Sequence, residues 1–237
     1  NTLSLHDALP ICLALALDKG PLAEVYASAS SSYQVFKSYI PPLLPGFTPR
    51  AEAPLADPDA AKLLLDRYLP ESGRGNLRLE LLIESPKTDA KARFARELGR
   101  QLEALAIRID VRYLRAADDA VDVRTPYLKL LEFTMDFPDP ENILVPLYHS
   151  RAVVNLMNSR YASPQLDALL ERTEVEPGWE KRASFFREAE KILLKDTPAI
   201  PLFSERVRLA VRPQVRGVRL PALGFIFLDL RDVWMAP

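Results

Sequence analysis

The sequence predicts an α/β protein in which helices flank a mixed β-sheet. Residues 77–83 and 107–113 each alternate apolar with mostly polar side chains, the period of a half-buried strand. Between them, a helix is predicted from Thr88 or Asp89 to about Ala104, because its apolar residues recur at near-helical spacing among Lys, Arg and Glu. Strand, helix and strand with short connections form a crossover unit, so the two strands should be parallel.

The flanking elements follow from caps, prolines and periodicity. Residues 13–26 have helical composition with Gly20-Pro21 inside, and Asp57-Pro58 has the capping residue and first-turn proline of a helix. The other predicted elements are an irregular segment at 40–46, a strand at 127–133, a turn at 136–142, a helix from Ser163-Pro164, a helix at 179–194, a strand at 200–203 and a half-buried strand at 207–211.

Composition excludes several classes of protein. The 237 residues are 48% hydrophobic and 27% charged, as in an ordinary globular protein. A formal net charge of −1 gives no electrostatic attraction to nucleic acid. The single cysteine, Cys12, cannot form an internal disulfide. No apolar run reaches the roughly 18 residues that a membrane-spanning helix needs.

The first eleven residues (NTLSLHDALPI) resemble translated sequencing-adapter DNA. We therefore expect residues 1–11 to be a non-native tail, with the natural start and any signal peptide lost, and we leave these residues out of the predicted fold.

No pattern predicts catalysis, a cofactor or a metal site. His149 next to Ser150 lacks the framing of a nucleophile and base, and one cysteine with one histidine outside the tail cannot supply four zinc ligands. Asp136, Asp139 and Glu141 form an acidic cluster whose spacing allows calcium binding or acid–base chemistry. Spacing alone favours capping and turn formation, so an enzyme is not predicted.

Six segments, in order, resemble motifs of the peptide-type extracellular solute-binding proteins of ABC importers, solute-binding protein family five. They are 14–19 (ALALDK), 40–46 (IPPLLPG), 136–142 (DFPDPEN), 161–170 (YASPQLDALL), 182–203 (RASFFREAEKILLKDTPAIPLF) and 211–217 (VRPQVRG). The third matches the family turn D-Y-P-D-P-x-N.

The resemblance implies a periplasmic-binding-protein-like (class II) lobe of an incomplete two-lobed protein. Residues 12–200 would form most of the second large lobe, and residues 201–237 would be the return segment to a missing first lobe. Relatives place an aspartate at the position of Asp136 against the ligand's α-amino group. Phe133 and Phe203 are assigned to the ligand's apolar wall, although the family commonly has Gly-Trp where this chain has Glu132-Phe133. The residues assigned to shaping the turn are Pro138, Asp139, Pro140 and Asn142.

The resemblance therefore implies a periplasmic or extracytoplasmic component of an importer, which captures peptides or similar small solutes and delivers them to permease subunits in the membrane. No cofactor and no nucleic-acid partner are expected. A solute-sensing lobe of a regulatory protein is the main alternative, and a hydrolase that uses the acidic cluster with His149 is a weaker one.

Overall fold

The computed structural model describes residues 5–27, 32–42, 44–49, 56–70, 73, 77–115, 126–206, 208–221 and 228–237. Its elements are, in chain order, α1 (Leu5–Ala16), α2 (Lys19–Tyr26), β1 (Ser32–Val35), α3 (Pro58–Tyr68), β2 (Arg78–Glu84), α4 (Asp89–Glu103), β3 (Arg108–Leu114), β4 (Tyr127–Leu130), α5 (Glu141–Tyr148), α6 (Val153–Met157), α7 (Pro164–Val175), α8 (Trp179–Asp196), β5 (Phe203–Arg206), β6 (Val215–Arg216) and β7 (Trp234–Met235). The predicted α/β class is confirmed.

The central sheet is parallel and has the strand order β3-β2-β4. Strand β2 buries Leu79, Leu81 and Ile83, while Arg78 and Glu84 at its two ends are exposed. The predicted pairing of the two strands around α4 is confirmed as parallel. Antiparallel pairing occurs only in the separate two-stranded ladders β1-β5 and β6-β7 of the described chain.

The first hydrophobic core lies between this sheet and helices α1 to α4. Phe94, Leu98 and Leu102 point from α4 into it, which is the face that the helical spacing predicted. Thr88 caps α4 by accepting a hydrogen bond from the backbone N–H of Lys91 (3.2 Å). This cap fixes where the chain turns from β2 into the helix.

The second core is helical and joins α5, α7 and α8. Its most buried side chains, with no exposed surface, are Ile40, Leu144, Leu166, Leu170, Phe186, Ala189 and Leu193. Ser163 caps α7, as its sequence predicted, through the N–H of Leu166 (3.3 Å). Helix α8 ends at Asp196, where Thr197 takes a left-handed conformation.

Residues 5–11, which were predicted to belong to a non-native tail, form part of the fold. Helix α1 begins at Leu5 and contains Pro10, and Ala8 and Cys12 are fully buried. Leaving residues 5–11 out of the fold was therefore wrong, whereas their origin in adapter DNA stays a prediction. The helix predicted over 13–26 is divided at Asp18, which caps α2 through the N–H of Gly20 (3.0 Å).

Two predicted strands near the C-terminal end differ from the structure. The strand expected at 200–203 lies at Phe203–Arg206, where it pairs with β1 from Val35↔Phe203 to Ser32↔Arg206. The strand expected at 207–211 is absent from residues 208–211, which are exposed, and Val207 lies outside the described residues. The pairing ends where β1 begins, so residues 208–211 have no described partner strand.

Candidate functional site

An open groove of about 2610 Å³ runs between the two cores. This volume exceeds the roughly 300–1,000 Å³ of an enclosed small-molecule pocket, so the feature is an open cleft. Its lining comes from helices α1, α2, α4 and α5, strands β1, β2 and β4, the segments that follow β1, β4 and α6, and the chain from the end of α8 through β5. Phe133 and Phe203, which are predicted to form the ligand's apolar wall, both line the groove although they are 70 positions apart in the sequence.

One wall of the groove is the edge of the parallel sheet. Strand β4 pairs with β2 on one side, and all four of its residues line the groove. The chain continues without regular structure through residues 131–135, which also line the groove. The strand predicted over 127–133 is therefore shorter than expected, because its second half has no described partner strand.

Phe203 belongs to an aromatic cluster that also lines the groove. Its ring centroid lies 5.3 Å from that of Tyr26, 5.1 Å from that of Tyr33 and 6.3 Å from that of Phe94. Tyr26 and Phe94 meet edge to face at 5.9 Å. Because such contacts fix the rings against each other, Phe203 presents a rigid apolar surface rather than a mobile side chain.

Asp136 lies at the rim of the groove. Its neighbours Met135 and Pro138 line the groove, whereas Asp136 itself is exposed and is not among the lining residues. Its backbone N–H donates to Oδ1 of the buried Asn142 (2.7 Å). Among the described residues, no hydrogen bond or ion pair engages its carboxylate, which leaves both oxygens able to accept donors from a ligand.

The turn that carries Asp136 is fixed from α8. The Arg182 guanidinium pairs with the carboxylates of Asp139 and Glu141, and its Nε donates to the backbone oxygen of Thr173 (2.9 Å). The hydrogen bond to Asp139 raises the pKa of Arg182 above its ordinary value, so this cation stays charged. Forked pairing of this kind restricts orientation as well as position.

The turn also makes contacts within itself. Asp139 Oδ1 accepts a hydrogen bond from the N–H of Glu141 (2.9 Å), at the start of α5. Pro140 is buried and Pro138 is exposed. Asp139 and Glu141 are thus both ion-paired with Arg182, and Asp136 is the acid of the cluster that faces solvent.

Glu132 was not predicted as a site residue. Its carboxylate accepts a hydrogen bond from the Tyr26 hydroxyl and lies 3.4 Å from Nζ of Lys91. Burial and the bond to Glu132 raise the pKa of Tyr26 well above its ordinary value, so this hydroxyl keeps the proton that it donates. Sequence spacing does not predict the cluster of Tyr26, Lys91 and Glu132, because these residues come from α2, α4 and the segment after β4.

The histidine outside the N-terminal tail, His149, does not line the groove. His149 is buried beside α7, where its Nδ1 accepts the N–H of Arg151 (3.2 Å) and its Nε2 lies 3.5 Å from Glu171. Ser150 Oγ donates to Asp167 (2.6 Å) rather than to His149. Asp136, Asp139 and Glu141 are not among the polar contacts of His149, so the geometry gives the hydrolase alternative no support.

The described residues offer neither a metal site nor a membrane-spanning helix. No group of three or more His, Cys, Asp or Glu side chains is arranged to hold a metal ion there. In the same part of the chain, every helix is too short or too polar to cross a membrane.

The chain is similar to proteins named for ligand binding. No protein-family model matches it. The oligopeptide-binding protein OppA of Bacillus subtilis is 23% identical over 195 residues, which cover 79% of this chain and 35% of that protein. Heme-binding protein A of Haemophilus influenzae is 24% identical over 214 residues, which cover 89% of this chain and 38% of that protein. The chain thus spans little more than a third of the length of these curated relatives.

Solved structures show the same fold. The clavulanic acid biosynthesis oligopeptide binding protein 2 superposes with a TM-score of 0.79 at 20% identity, over 99% of this chain and 46% of that one. The periplasmic binding protein DppA of Helicobacter pylori, in complex with peptide STSA, superposes with a TM-score of 0.73 at 16% identity, over 100% of this chain and 45% of that one. The predicted resemblance is confirmed: this chain has the α/β fold of a periplasmic-binding-protein-like lobe, and its relatives are binding proteins rather than enzymes.

Proposed function

We propose that this chain forms one wall of the ligand groove in the substrate-binding component of an ABC importer, and that peptides or similar small solutes are its cargo. The observation that carries the proposal is the Asp136 carboxylate, which has no described partner and is held by a braced turn at the rim of an apolar groove. In this proposal Asp136 receives the α-amino group of the ligand, with Phe133 and Phe203 as apolar walls.

The charge of the ligand explains the need for such an aspartate. An ammonium group removed from water loses its hydration, so it is bound only where an ionised, hydrogen-bonding partner replaces that hydration. A carboxylate on a mobile loop would first have to be ordered, which weakens binding. The Arg182 pairs and the Asn142 bond fix the turn in advance, so binding an amine at Asp136 requires little further ordering.

The proposed ligand is enclosed by hinge closure of two lobes. Residues 12–200 would belong to the second lobe and residues 201–237 to a segment that returns to the first. Six of the fifteen exposed large apolar side chains of the described residues lie on the latter, although it is much the shorter part. This density supports the division, because a large exposed apolar surface is uncommon unless something covers it. The six side chains are Leu209, Val211, Leu220, Leu230, Trp234 and Met235.

The proposed partner is an ABC permease, and the proposed compartment is extracytoplasmic. The closed form would dock on permease subunits of the membrane, on the periplasmic or extracytoplasmic side. The description of the Helicobacter pylori neighbour as ABC transporter-associated and periplasmic supports this assignment. Neither the relatives nor the structures compared above are named as regulators, so the solute-sensing alternative has no comparable support.

Calorimetry tests the proposed cargo. The full-length product of the gene that encodes this chain is titrated with trialanine, with N-acetyl-trialanine and with hemin, and the 237-residue chain is titrated in parallel. We expect trialanine to bind the full-length product, and to bind the chain alone more weakly because it supplies only part of the groove. Binding of hemin without any peptide, or binding of none of the three, would contradict the proposal.

A further inference from the structure

The groove wall beside Asp136 presents its negative charges to solvent and hides its positive charges. The Glu132 side chain is 60% exposed and lines the groove, whereas Lys91, 3.4 Å from it, is 9% exposed. Lys91 also donates to the backbone oxygen of Glu84 (3.0 Å). Because the ammonium lies behind the carboxylate, a ligand in the groove can reach Glu132 and cannot reach Lys91.

Lys129, the other cation of this wall, is also held in an ion pair. Lys129 on β4 pairs with Glu84 at 2.8 Å, and its side chain is 17% exposed. The exposed cations of the groove lie on other segments: Arg160 follows α6, Lys195 lies at the end of α8, and Arg206 ends β5. Of the two charged side chains of this wall that line the groove, Glu132 is 60% exposed, whereas Lys129 is paired with Glu84 and is 17% exposed. An occupant therefore meets the carboxylate more than the ammonium.

Glu132 is held in a defined position. One carboxylate oxygen accepts the Tyr26 hydroxyl and the other faces Lys91. An ionised carboxylate has about four acceptor positions, so these two contacts leave room for a donor from the groove. A tethered carboxylate loses less side-chain freedom when it binds a cation than an untethered one would.

We propose that Glu132 is a specificity-determining residue that favours peptides with a basic side chain near their amino terminus. This inference rests on the proposed function, with the α-amino group at Asp136. Asp136 follows Glu132 by four positions, so their Cα atoms are at most about 14 Å apart along an extended chain. A lysine or arginine at the second or third position of a peptide would span that distance while its α-amino group stays at Asp136.

Matched tripeptides test the inference on the full-length product. Ala-Lys-Ala, Ala-Met-Ala and Ala-Glu-Ala have the same backbone and differ in the charge of one side chain. We expect Ala-Lys-Ala to bind about fivefold more tightly than Ala-Met-Ala, the ratio that an ion pair of about 1 kcal/mol gives, and Ala-Glu-Ala to bind most weakly.

Two variants separate Glu132 from a general charge effect. Glu132→Gln should remove the preference for Ala-Lys-Ala and leave the affinity for Ala-Met-Ala within about twofold, because an uncharged occupant gains little from the carboxylate. Glu171→Gln removes one negative charge outside the groove and should keep the preference. If Glu132→Gln does not fold, the double variant Lys91→Met with Glu132→Gln takes its place, because it removes both charges of the pair and leaves no unpaired ammonium behind.

The outcomes distinguish this inference from the proposed function. Peptide binding without a preference for the basic tripeptide, or a preference that survives Glu132→Gln, overturns the role of Glu132 and leaves the proposed function standing. Absence of binding by all three tripeptides overturns both. A preference lost with Glu132→Gln and kept with Glu171→Gln supports the inference.

Discussion

Removal of the Glu190 carboxylate is expected to destabilise the helical core more than any other loss of a single acid on α8. Glu190 is 3% exposed and accepts hydrogen bonds from the Ser38 hydroxyl and from the backbone N–H groups of Tyr39 (2.9 Å) and Ile40 (3.3 Å). This one side chain joins α8 to the loop that leads out of β1.

The expected magnitude follows from the donors left behind. A buried donor without a partner costs about 1–3 kcal/mol. Glu190→Ala leaves the backbone N–H of Tyr39 without its acceptor and leaves a cavity, whereas the N–H of Ile40 keeps a hydrogen bond to Ser38 Oγ (3.0 Å). We expect a loss of about 2–4 kcal/mol in the free energy of unfolding, from the unpaired donor and the cavity together. Glu190→Gln keeps one acceptor oxygen at nearly the same volume and should cost about 1–2 kcal/mol.

Urea unfolding followed by circular dichroism measures both losses. Glu188→Ala is the matched control, because Glu188 lies on the same helix and is exposed. Exposed substitutions of this kind change stability by about 0.5 kcal/mol or less. If Glu190→Ala and Glu188→Ala unfold within 0.5 kcal/mol of each other, the loop at 38–40 does not depend on Glu190 and the reasoning is refuted.

Three further predictions concern stability and use the same urea assay. Gly46→Ala should cost about 2 kcal/mol or more, because Gly46 has φ +86 and an added Cβ would lie 3.0 Å from Cβ of Phe186. Its control is Gly99→Ala within α4, where an added Cβ meets only ordinary contacts and should stabilise the protein by roughly 0.5–1 kcal/mol. Equal effects of the two substitutions on the free energy of unfolding would contradict this reasoning. Asp57→Ala removes the cap of α3 (2.9 Å to the N–H of Ala60) and should cost about 1 kcal/mol; an unchanged urea midpoint would show that the cap contributes nothing. Burial lowers the pKa of Lys19 to about 8, so above that pH the unfolded state binds more protons than the folded state. The free energy of unfolding should therefore rise between pH 8 and 9.5, below the range where tyrosines ionise. Lys19→Met should abolish this rise, and a rise that persists in the variant would assign it to another group.

Local patterns were sufficient to predict the elements that depend on local chemistry. The βαβ unit and the caps Asp57, Thr88 and Ser163 follow from residues within a few positions of each other. The register of β5 was not predictable in this way, because it is set by its pairing with β1, about 170 residues earlier in the chain.

The candidate site was partly predictable for the same reason. The turn at 136–142 was found through its motif, whereas Glu132, Tyr26 and Lys91 meet only in the tertiary structure. Glu190 did leave a signal in the sequence. It lies four residues after Phe186 and three before Leu193, both of which have no exposed surface, so a charged residue occupied the buried face of a predicted helix.

A double-mutant cycle between Asp136 and the ligand amine tests the central claim most directly. Calorimetry compares the full-length product and its Asp136→Asn variant, each with trialanine and with N-acetyl-trialanine. If Asp136 receives the ammonium, acetylation and the substitution should each weaken binding, and together they should cost little more than either alone, with a coupling energy of about 1.5 kcal/mol or more. Additive effects, with a coupling energy near zero, would show that the amine binds elsewhere.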